Sequence, residues 1–144
     1  MTKIYETNSE KETFDIGVKL GKIAVQGQIV CLDGDLGTGK TVISKGFANG
    51  LGVTTHVTSP TFTIINVYDE GRLPFYHFDV YRIGDPYEMD EIGYDEYFFG
   101  SGVTMVEWSK LIEELIPKNA LRITVSKEIE KGLDYRQIIV EEIE

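Results

Sequence analysis

The chain has 144 residues, 42% of them hydrophobic and 26% charged, which is typical of one globular domain with a sizeable core. Its formal net charge of -10 argues against direct, strong binding of RNA or DNA, which usually requires a basic face. One cysteine, Cys31, excludes an intrachain disulfide, and no apolar run reaches the roughly 20 residues of a membrane span. With a polar start that lacks a signal-peptide pattern, these features predict a cytoplasmic protein without a membrane or disulfide partner.

The first half of the chain predicts a helix, a buried strand and a second helix. Ser9 followed by Glu12 has the spacing of a capping box, so we expect a helix that runs to about Val25. The apolar run Gln28–Asp33 predicts a buried strand. A glycine-rich loop follows, and the pattern after it predicts a helix over Lys40–Asn49.

The second half is rich in short runs of β-branched and aromatic residues, which favour strands. We expect strands at Thr61–Tyr68, Phe75–Ile83, Val103–Trp108, Leu121–Val125 and Tyr135–Val140. Asp85 and Pro86 are expected to open a short acidic helical turn, and Ser109 to cap a helix that ends before Pro117. The whole chain, 1–144, is therefore predicted to be one α/β domain in three layers. Its mixed, mostly parallel sheet would carry antiparallel hairpin strands.

The glycine-rich loop matches the complete Walker A pattern of a P-loop, Gly34-x4-Gly39-Lys40-Thr41. Backbone N–H groups of such a loop and the start of the following helix form a site for phosphates. Lys40 would reach the β- and γ-phosphates, and the Thr41 hydroxyl would bind Mg²⁺. The loop residues expected to contact nucleotide are Asp35, Leu36, Gly37, Thr38, Gly39, Lys40 and Thr41.

Two acidic residues end apolar runs that are predicted to be strands, Asp79 and Glu107. The carboxyl ends of parallel strands lie beside a P-loop, where phosphoryl transfer needs acids for Mg²⁺ and for the attacking water. We therefore predict that Glu107 binds Mg²⁺, directly or through water, and that Asp79 organises water or a switch segment. Lys40, Asp79 and Glu107 form the predicted catalytic group.

Three other features have two interpretations each. His77 lies two residues before Asp79, and a structural histidine is favoured over a catalytic base. Trp108 is either a core anchor or a contact of the nucleotide or a partner. The hydroxyl-rich segment 58–62, Thr-Ser-Pro-Thr-Phe, is either a switch that senses the γ-phosphate or a locally capped turn.

The nucleotide and the reaction class are less constrained. The guanine-reading pattern Asn-Lys-x-Asp is absent from the sequence, so adenine is preferred by elimination. A small-molecule kinase of the P-loop class needs clustered arginines to clamp phosphates, and the four arginines of this chain do not cluster in sequence. Such a phosphotransferase and a nucleotide-sensing adaptor without hydrolysis remain the alternatives to an ATPase.

Four motifs together resemble the bacterial TsaE family in order and spacing over nearly the whole chain. They are Gly-Asp-Leu-Gly-x-Gly-Lys-Thr (34–41), Ser-Pro-Thr-Phe (59–62), Tyr-His-Phe-Asp-x-Tyr-Arg (76–82) and Val-Glu-Trp (106–108). The Walker A part is common to many proteins, whereas its Asp-Leu-Gly wording, the His-Phe-Asp-x-Tyr-Arg run and Val-Glu-Trp together are far more specific. The resemblance implies a P-loop ATPase of tRNA threonylcarbamoyladenosine biosynthesis.

The resemblance also implies partners, cofactors and site residues. A protein of this family docks onto the TsaD–TsaB pair, which modifies the adenosine next to the tRNA anticodon, so tRNA would be met only indirectly. ATP and Mg²⁺ are the implied cofactors. Thr41 and Glu107 would hold Mg²⁺, Asp79 would be needed for turnover, and the adenine would lie between Glu10 and the turn at Gly132.

Overall fold

The structure, a computed structural model, describes residues 2–35, 38–58, 60 and 64–143. Its strands are β1 (Thr2–Thr7), β2 (Ile29–Asp33), β3 (Ile65–Tyr68), β4 (Phe75–Asp79), β5 (Val103–Glu107), β6 (Leu121–Ser126) and β7 (Arg136–Glu142). Its α-helices are α1 (Glu10–Ile23), α2 (Lys40–Gly50), α3 (Glu88–Glu91) and α4 (Tyr94–Phe98), and 3₁₀ helices span Ser109–Leu115 and Ile129–Lys131. Within these ranges, no helix has the length and apolar character that a membrane crossing requires.

The strands of the described residues form one seven-stranded sheet in the order β1-β7-β6-β2-β5-β4-β3. Strand β2 lies parallel to β5 and β6, and β4 lies parallel to β5. Antiparallel pairing joins β3 to β4, β6 to β7 and β1 to β7. A parallel strand is covered on both faces, and Val30, Cys31 and Leu32 of β2 are fully buried. The predicted mixed sheet with a parallel centre and antiparallel hairpins is confirmed.

Helices α1 and α2 cover one face of the sheet, and the short helices after β4 and β5 cover the other. Helix α1 begins at the predicted cap, where Ser9 Oγ accepts the N–H of Glu12 at 3.1 Å. The two helices approach closely because glycines face each other: a Cβ on Gly17 would lie 2.6 Å from the carbonyl oxygen of Ile43. This contact packs α1 directly against α2.

One strand and one α-helix were not predicted from the sequence. Strand β1 adds an antiparallel edge beside β7, but its side chains are mostly exposed, so its sequence shows no apolar run. Helix α4 is only five residues long and rich in aromatic and acidic residues, a pattern without helical periodicity. Strand β1 depends on pairing with a strand distant in sequence, and α4 depends on ring contacts of Tyr97 and Phe98 with β4, so a local pattern reveals neither element.

Several predicted element ends differ from the structure. The strand predicted over Thr61–Tyr68 is assigned over Ile65–Tyr68, and residues 61–63 lie outside the described part of the chain. Strand β4 ends at Asp79 rather than Ile83, because Asp79 Oδ1 accepts the N–H of Tyr81 at 3.0 Å and turns the chain. Ser109 does not cap an α-helix. The segment that follows β5 is a 3₁₀ helix with Trp108 at its cap position, and the Ser109 hydroxyl donates to Asp33 Oδ1 at 3.2 Å.

Candidate nucleotide site

The carboxyl ends of β2, β4 and β5 lie level at one edge of the sheet. Glu107 is the register partner of Leu32 on β2 and of Asp79 on β4. The two predicted catalytic carboxylates are therefore neighbours on adjacent strands, beside the start of the glycine-rich loop. The structure brings them together as expected, while their chemical roles stay predictions.

The described part of the loop has the backbone geometry of a tight turn into α2. Gly39, at the cap position, has a φ of 97°, in the left-handed region that glycine tolerates. Thr38 is buried, and its hydroxyl donates to the carbonyl of Asp35 at 2.7 Å. The predicted contacts Leu36 and Gly37 lie outside the described residues, as do Ser59, Thr61 and Phe62 of the predicted switch.

Helix α2 begins without a capping side chain or an acidic residue in its first turn. Helix α1 shows the contrast, because Ser9 caps it and Glu10 and Glu12 lie in its first turn. The first N–H groups of a helix have no partner inside the helix, and they carry the positive end of its dipole. An anion at the start of α2 would satisfy them, and the exposed Thr41 and buried Lys40 lie in the same turn.

Lys40 is 7% exposed, and its ammonium lies over the indole of Trp108, with 4.1 Å between Nζ and the ring centroid. The ring of Tyr81 also packs against the indole of Trp108, with 4.8 Å between the ring centroids. A cation held against an aromatic face is partly desolvated and stabilised by the ring electrons. Trp108 thus contacts Lys40 and also packs against the core, and its contact with a nucleotide or a partner stays a prediction.

We expect the fluorescence of Trp108, the only tryptophan, to change when ATP binds. Phosphates would draw the Lys40 ammonium from the indole and alter the electric field at the ring. Emission spectra recorded during an ATP titration measure the change. Lys40→Ala should abolish it. Calorimetric saturation with ATP at constant emission would contradict the expected movement of Lys40.

Asp79 is half-buried beside Glu107, His77 and Lys40. Burial raises the pKa of its carboxyl above the usual value, and the charge of Glu107 raises it further. The hydrogen bond from the N–H of Tyr81 and the charge of Lys40 lower the pKa and partly offset this rise. A carboxylate with a raised pKa is a better proton acceptor, which suits the predicted role of Asp79 near an attacking water.

Glu107 is 4% exposed and contacts His77, with 2.7 Å between Oε2 and Nε2. Carboxylate oxygens are preferred ligands of Mg²⁺, and a buried carboxylate needs compensation by a hydrogen bond or a cation. Glu107 and the Thr41 hydroxyl of the first α2 turn therefore offer oxygen atoms of the type that Mg²⁺ prefers, and their binding of the metal stays a prediction.

A small cleft of about 140 Å³ lies where the resemblance places the adenine. Its lining includes Glu10 and Gly39, together with Asp134 and Arg136 of the C-terminal hairpin. Gly132, the other predicted base contact, is not part of this lining, although it lies in the same hairpin. Glu10 thus lines this cleft and Gly132 does not, while both stay predicted contacts of the base.

Arg136 is a site residue that the sequence analysis did not identify. Its Nε donates to the Thr38 carbonyl of the glycine-rich loop at 2.7 Å. Its Nη1 donates to the carbonyls of Leu133 and Tyr135 at 2.9 and 2.7 Å. The guanidinium therefore ties the phosphate loop to the C-terminal hairpin, a contact between residues 98 positions apart that no local motif indicates.

A larger cleft of about 480 Å³ opens on the other side of the loop, where Gly34, Lys40 and Lys110 contribute to its lining. Arg122 also lines it, but its guanidinium is held by Asp33 at 3.0 Å and Glu113 at 3.1 Å. Two acids therefore balance this arginine. The cleft is not the cluster of free basic groups that a phosphate clamp requires.

The protein family described as "Threonylcarbamoyl adenosine biosynthesis protein TsaE" matches residues 7–138. The chain is 48% identical over 134 residues to the tRNA threonylcarbamoyladenosine biosynthesis protein TsaE of Bacillus subtilis (strain 168), covering 93% of this chain and 82% of that protein. The protein of the same name from Treponema pallidum (strain Nichols) is 38% identical over 119 residues, covering 83% of this chain and 87% of that protein.

Among solved structures, the crystal structure of Bacillus subtilis YdiB superposes with a TM-score of 0.85 at 41% identity, covering 100% of this chain and 87% of that one. This similarity confirms the predicted P-loop NTPase fold. The family match spans the loop, both acidic strand ends and most of the C-terminal hairpin. The chain therefore belongs to the TsaE family of tRNA threonylcarbamoyladenosine biosynthesis proteins.

Proposed function

We propose that this protein is a Mg²⁺-dependent ATPase that supports the TsaD–TsaB pair in threonylcarbamoyl modification of tRNA. The observation that carries the proposal is the uncapped start of α2, with Lys40 buried beside it and two carboxylates at the adjoining strand ends. Such an arrangement combines donors for phosphates with acids for a metal and a water, the components that phosphoryl transfer requires.

In this proposal, the residues of the chain provide positioning and electrostatics. Lys40 and the first backbone N–H groups of α2 stabilise charge on the β- and γ-phosphates. Thr41 and Glu107 hold the metal, which when bound neutralises phosphate charge. Asp79 orients a water for attack on the γ-phosphorus and accepts its proton. The position of Asp79 and Glu107 at adjoining strand ends, and of Lys40 and Thr41 in the first turn of α2, supports these roles.

The proposal includes slow turnover by the protein alone. Arginines often stabilise the transition state of phosphoryl transfer. Arg72, Arg122 and Arg136 are each engaged by internal carbonyls or carboxylates. We therefore infer that partner binding controls the rate. The net charge of -10 fits a subunit that leaves tRNA contacts to its partners.

Phosphate release from ATP tests the proposal. The purified protein should release phosphate slowly, only with Mg²⁺, and faster with TsaD and TsaB. A pull-down with these two proteins should retain the chain, with ATP changing the amount bound. The same turnover with and without the pair would contradict the partner role. Rapid ADP release that requires an added small-molecule acceptor would instead indicate a kinase.

Glu107→Gln should weaken ATP binding more in Mg²⁺ than without metal. The substitution keeps the side-chain shape but removes the charge that attracts the cation. We therefore expect ATP affinity to fall about tenfold or more when Mg²⁺ is present, and not when metal is absent. Calorimetric titrations with Mg²⁺ and with a chelator measure both affinities. Glu96→Gln, at an exposed position, is the control. Equal losses under both conditions would remove Glu107 from the metal site.

A further inference from the structure

His77 lies behind the predicted metal-binding carboxylate. It is on β4, two residues before Asp79, on the face of the sheet that α1 and α2 cover. Its side chain is fully buried, and that of Glu107 is 5% exposed. The ring of Phe75 stacks on the imidazole, with centroids 5.7 Å apart at an interplanar angle of 24°. Neither side chain of the His77–Glu107 pair is free to rotate into water.

The contact between the two residues has a defined direction. His77 Nε2 lies 2.7 Å from Glu107 Oε2, and an ionised carboxylate only accepts hydrogen bonds. Nε2 must therefore carry the hydrogen. His77 Nδ1 is buried without a hydrogen-bond partner in the described part of the chain. A hydrogen on Nδ1 would be a buried N–H without an acceptor, which is unfavourable in free energy. The geometry therefore fits the tautomer with its hydrogen on Nε2 alone.

We propose that His77 is a positioning residue, which fixes the Glu107 carboxylate so that its other oxygen, Oε1, is presented to the metal. The hydrogen bond engages Oε2 and sets the rotation of the carboxylate, while the stacked Phe75 sets the plane of the imidazole. Hydrogen bonds to a metal-binding carboxylate typically change metal affinity about 10- to 100-fold. The inference rests on the proposed Mg²⁺-ATP function and adds a residue to it.

Two substitutions separate this role from simple core packing. His77→Phe keeps an aromatic ring in the cavity but removes the donor. His77→Gln places an amide N–H near the position of Nε2. We expect His77→Phe to lose about 10- to 100-fold of ATP affinity in Mg²⁺ and little without metal, while His77→Gln retains most of both. Calorimetric titration measures the affinities, and urea unfolding shows whether each variant folds.

Imidazole NMR of isotope-labelled wild-type protein tests the same contact without a substitution. We expect His77 to show the Nε2–H tautomer, and exposed His56 to show the averaged signals of a solvated ring. Folded His77→Phe with unchanged Mg²⁺ dependence would overturn the proposal, as would equal losses in both variants or a hydrogen on Nδ1 alone. If the wild-type protein shows no Mg²⁺-dependent ATP binding at all, the proposed function fails first.

Discussion

Lys40→Ala should reduce ATP affinity about 10- to 100-fold, because a hydrogen bond to a charged group is worth about 1.5–3 kcal/mol. Lys40 is buried at the start of α2, and the methyl group of an alanine there cannot replace the interaction of its ammonium with phosphate. The substitution also removes the cation from the face of Trp108 and leaves space there. Isothermal titration calorimetry with ATP and Mg²⁺ measures the affinity.

Lys45→Ala is the matched control for this variant. It removes the same charge from the same helix, five residues from Lys40 and away from the helix start. We expect its ATP affinity to stay within about threefold of the wild-type value, since a surface charge acts weakly at that distance. If both variants bound ATP as the wild type does, the start of α2 would not be the phosphate site.

Asp79→Asn should lower turnover by about 10²- to 10⁴-fold while ATP affinity changes little. The amide keeps the bond to the N–H of Tyr81 but accepts no proton from water. Phosphate release at saturating ATP, with TsaD and TsaB present, measures the loss. Asp85→Asn is the control, because Asp85 Oδ1 accepts the N–H of Tyr87 in the same kind of turn and is exposed. Full turnover in Asp79→Asn would make Asp79 structural.

The same variant should raise the stability of the protein at neutral pH. Burial raises the pKa of Asp79, so the folded state holds this proton to a higher pH than the unfolded chain. Ionisation therefore lowers the free energy of unfolding as the pH rises from the unfolded pKa through the folded pKa. Asparagine avoids this cost. Urea unfolding should show Asp79→Asn above wild type at pH 7, with the difference shrinking near pH 4.

Turnover of the wild-type protein should depend on pH in the opposite way. The proposed proton acceptor works only when Asp79 is ionised, so turnover should fall as the pH falls through its raised pKa. A loss of stability and a gain of activity would then arise from the same ionisation. A pH-rate profile for Asp79→Asn that retained the wild-type slope would assign the titration to another group.

The parts of the molecule that the sequence predicted correctly have a local cause. The glycine turn before α2, the start of α1 and the core strands follow from short patterns of glycine, capping residues and apolar runs. The meeting of Asp79 and Glu107 follows from a rule of parallel sheets, because both residues end strands of the parallel centre. Recognising these patterns required no knowledge of distant contacts.

The parts that the sequence did not reveal depend on contacts between distant residues. Strand β1 is stabilised by pairing with β7 at the other end of the chain. The Ser109 hydroxyl donates a hydrogen bond to Asp33 instead of capping a helix, and Arg136 donates one to the Thr38 carbonyl. For His77, nothing local in the sequence indicates that its neighbour in space is Glu107. In each case, a polar group takes its partner from another strand or loop.

The location of a bound nucleotide tests the central claim most directly. A crystal structure with Mg²⁺ and a non-hydrolysable ATP analogue should place the β-phosphate within hydrogen-bond distance of the backbone N–H groups of Gly39, Lys40 and Thr41. The Lys40 ammonium should have left Trp108, and the metal should lie beside Glu107. A nucleotide bound elsewhere, with the start of α2 filled by side chains, would contradict the account.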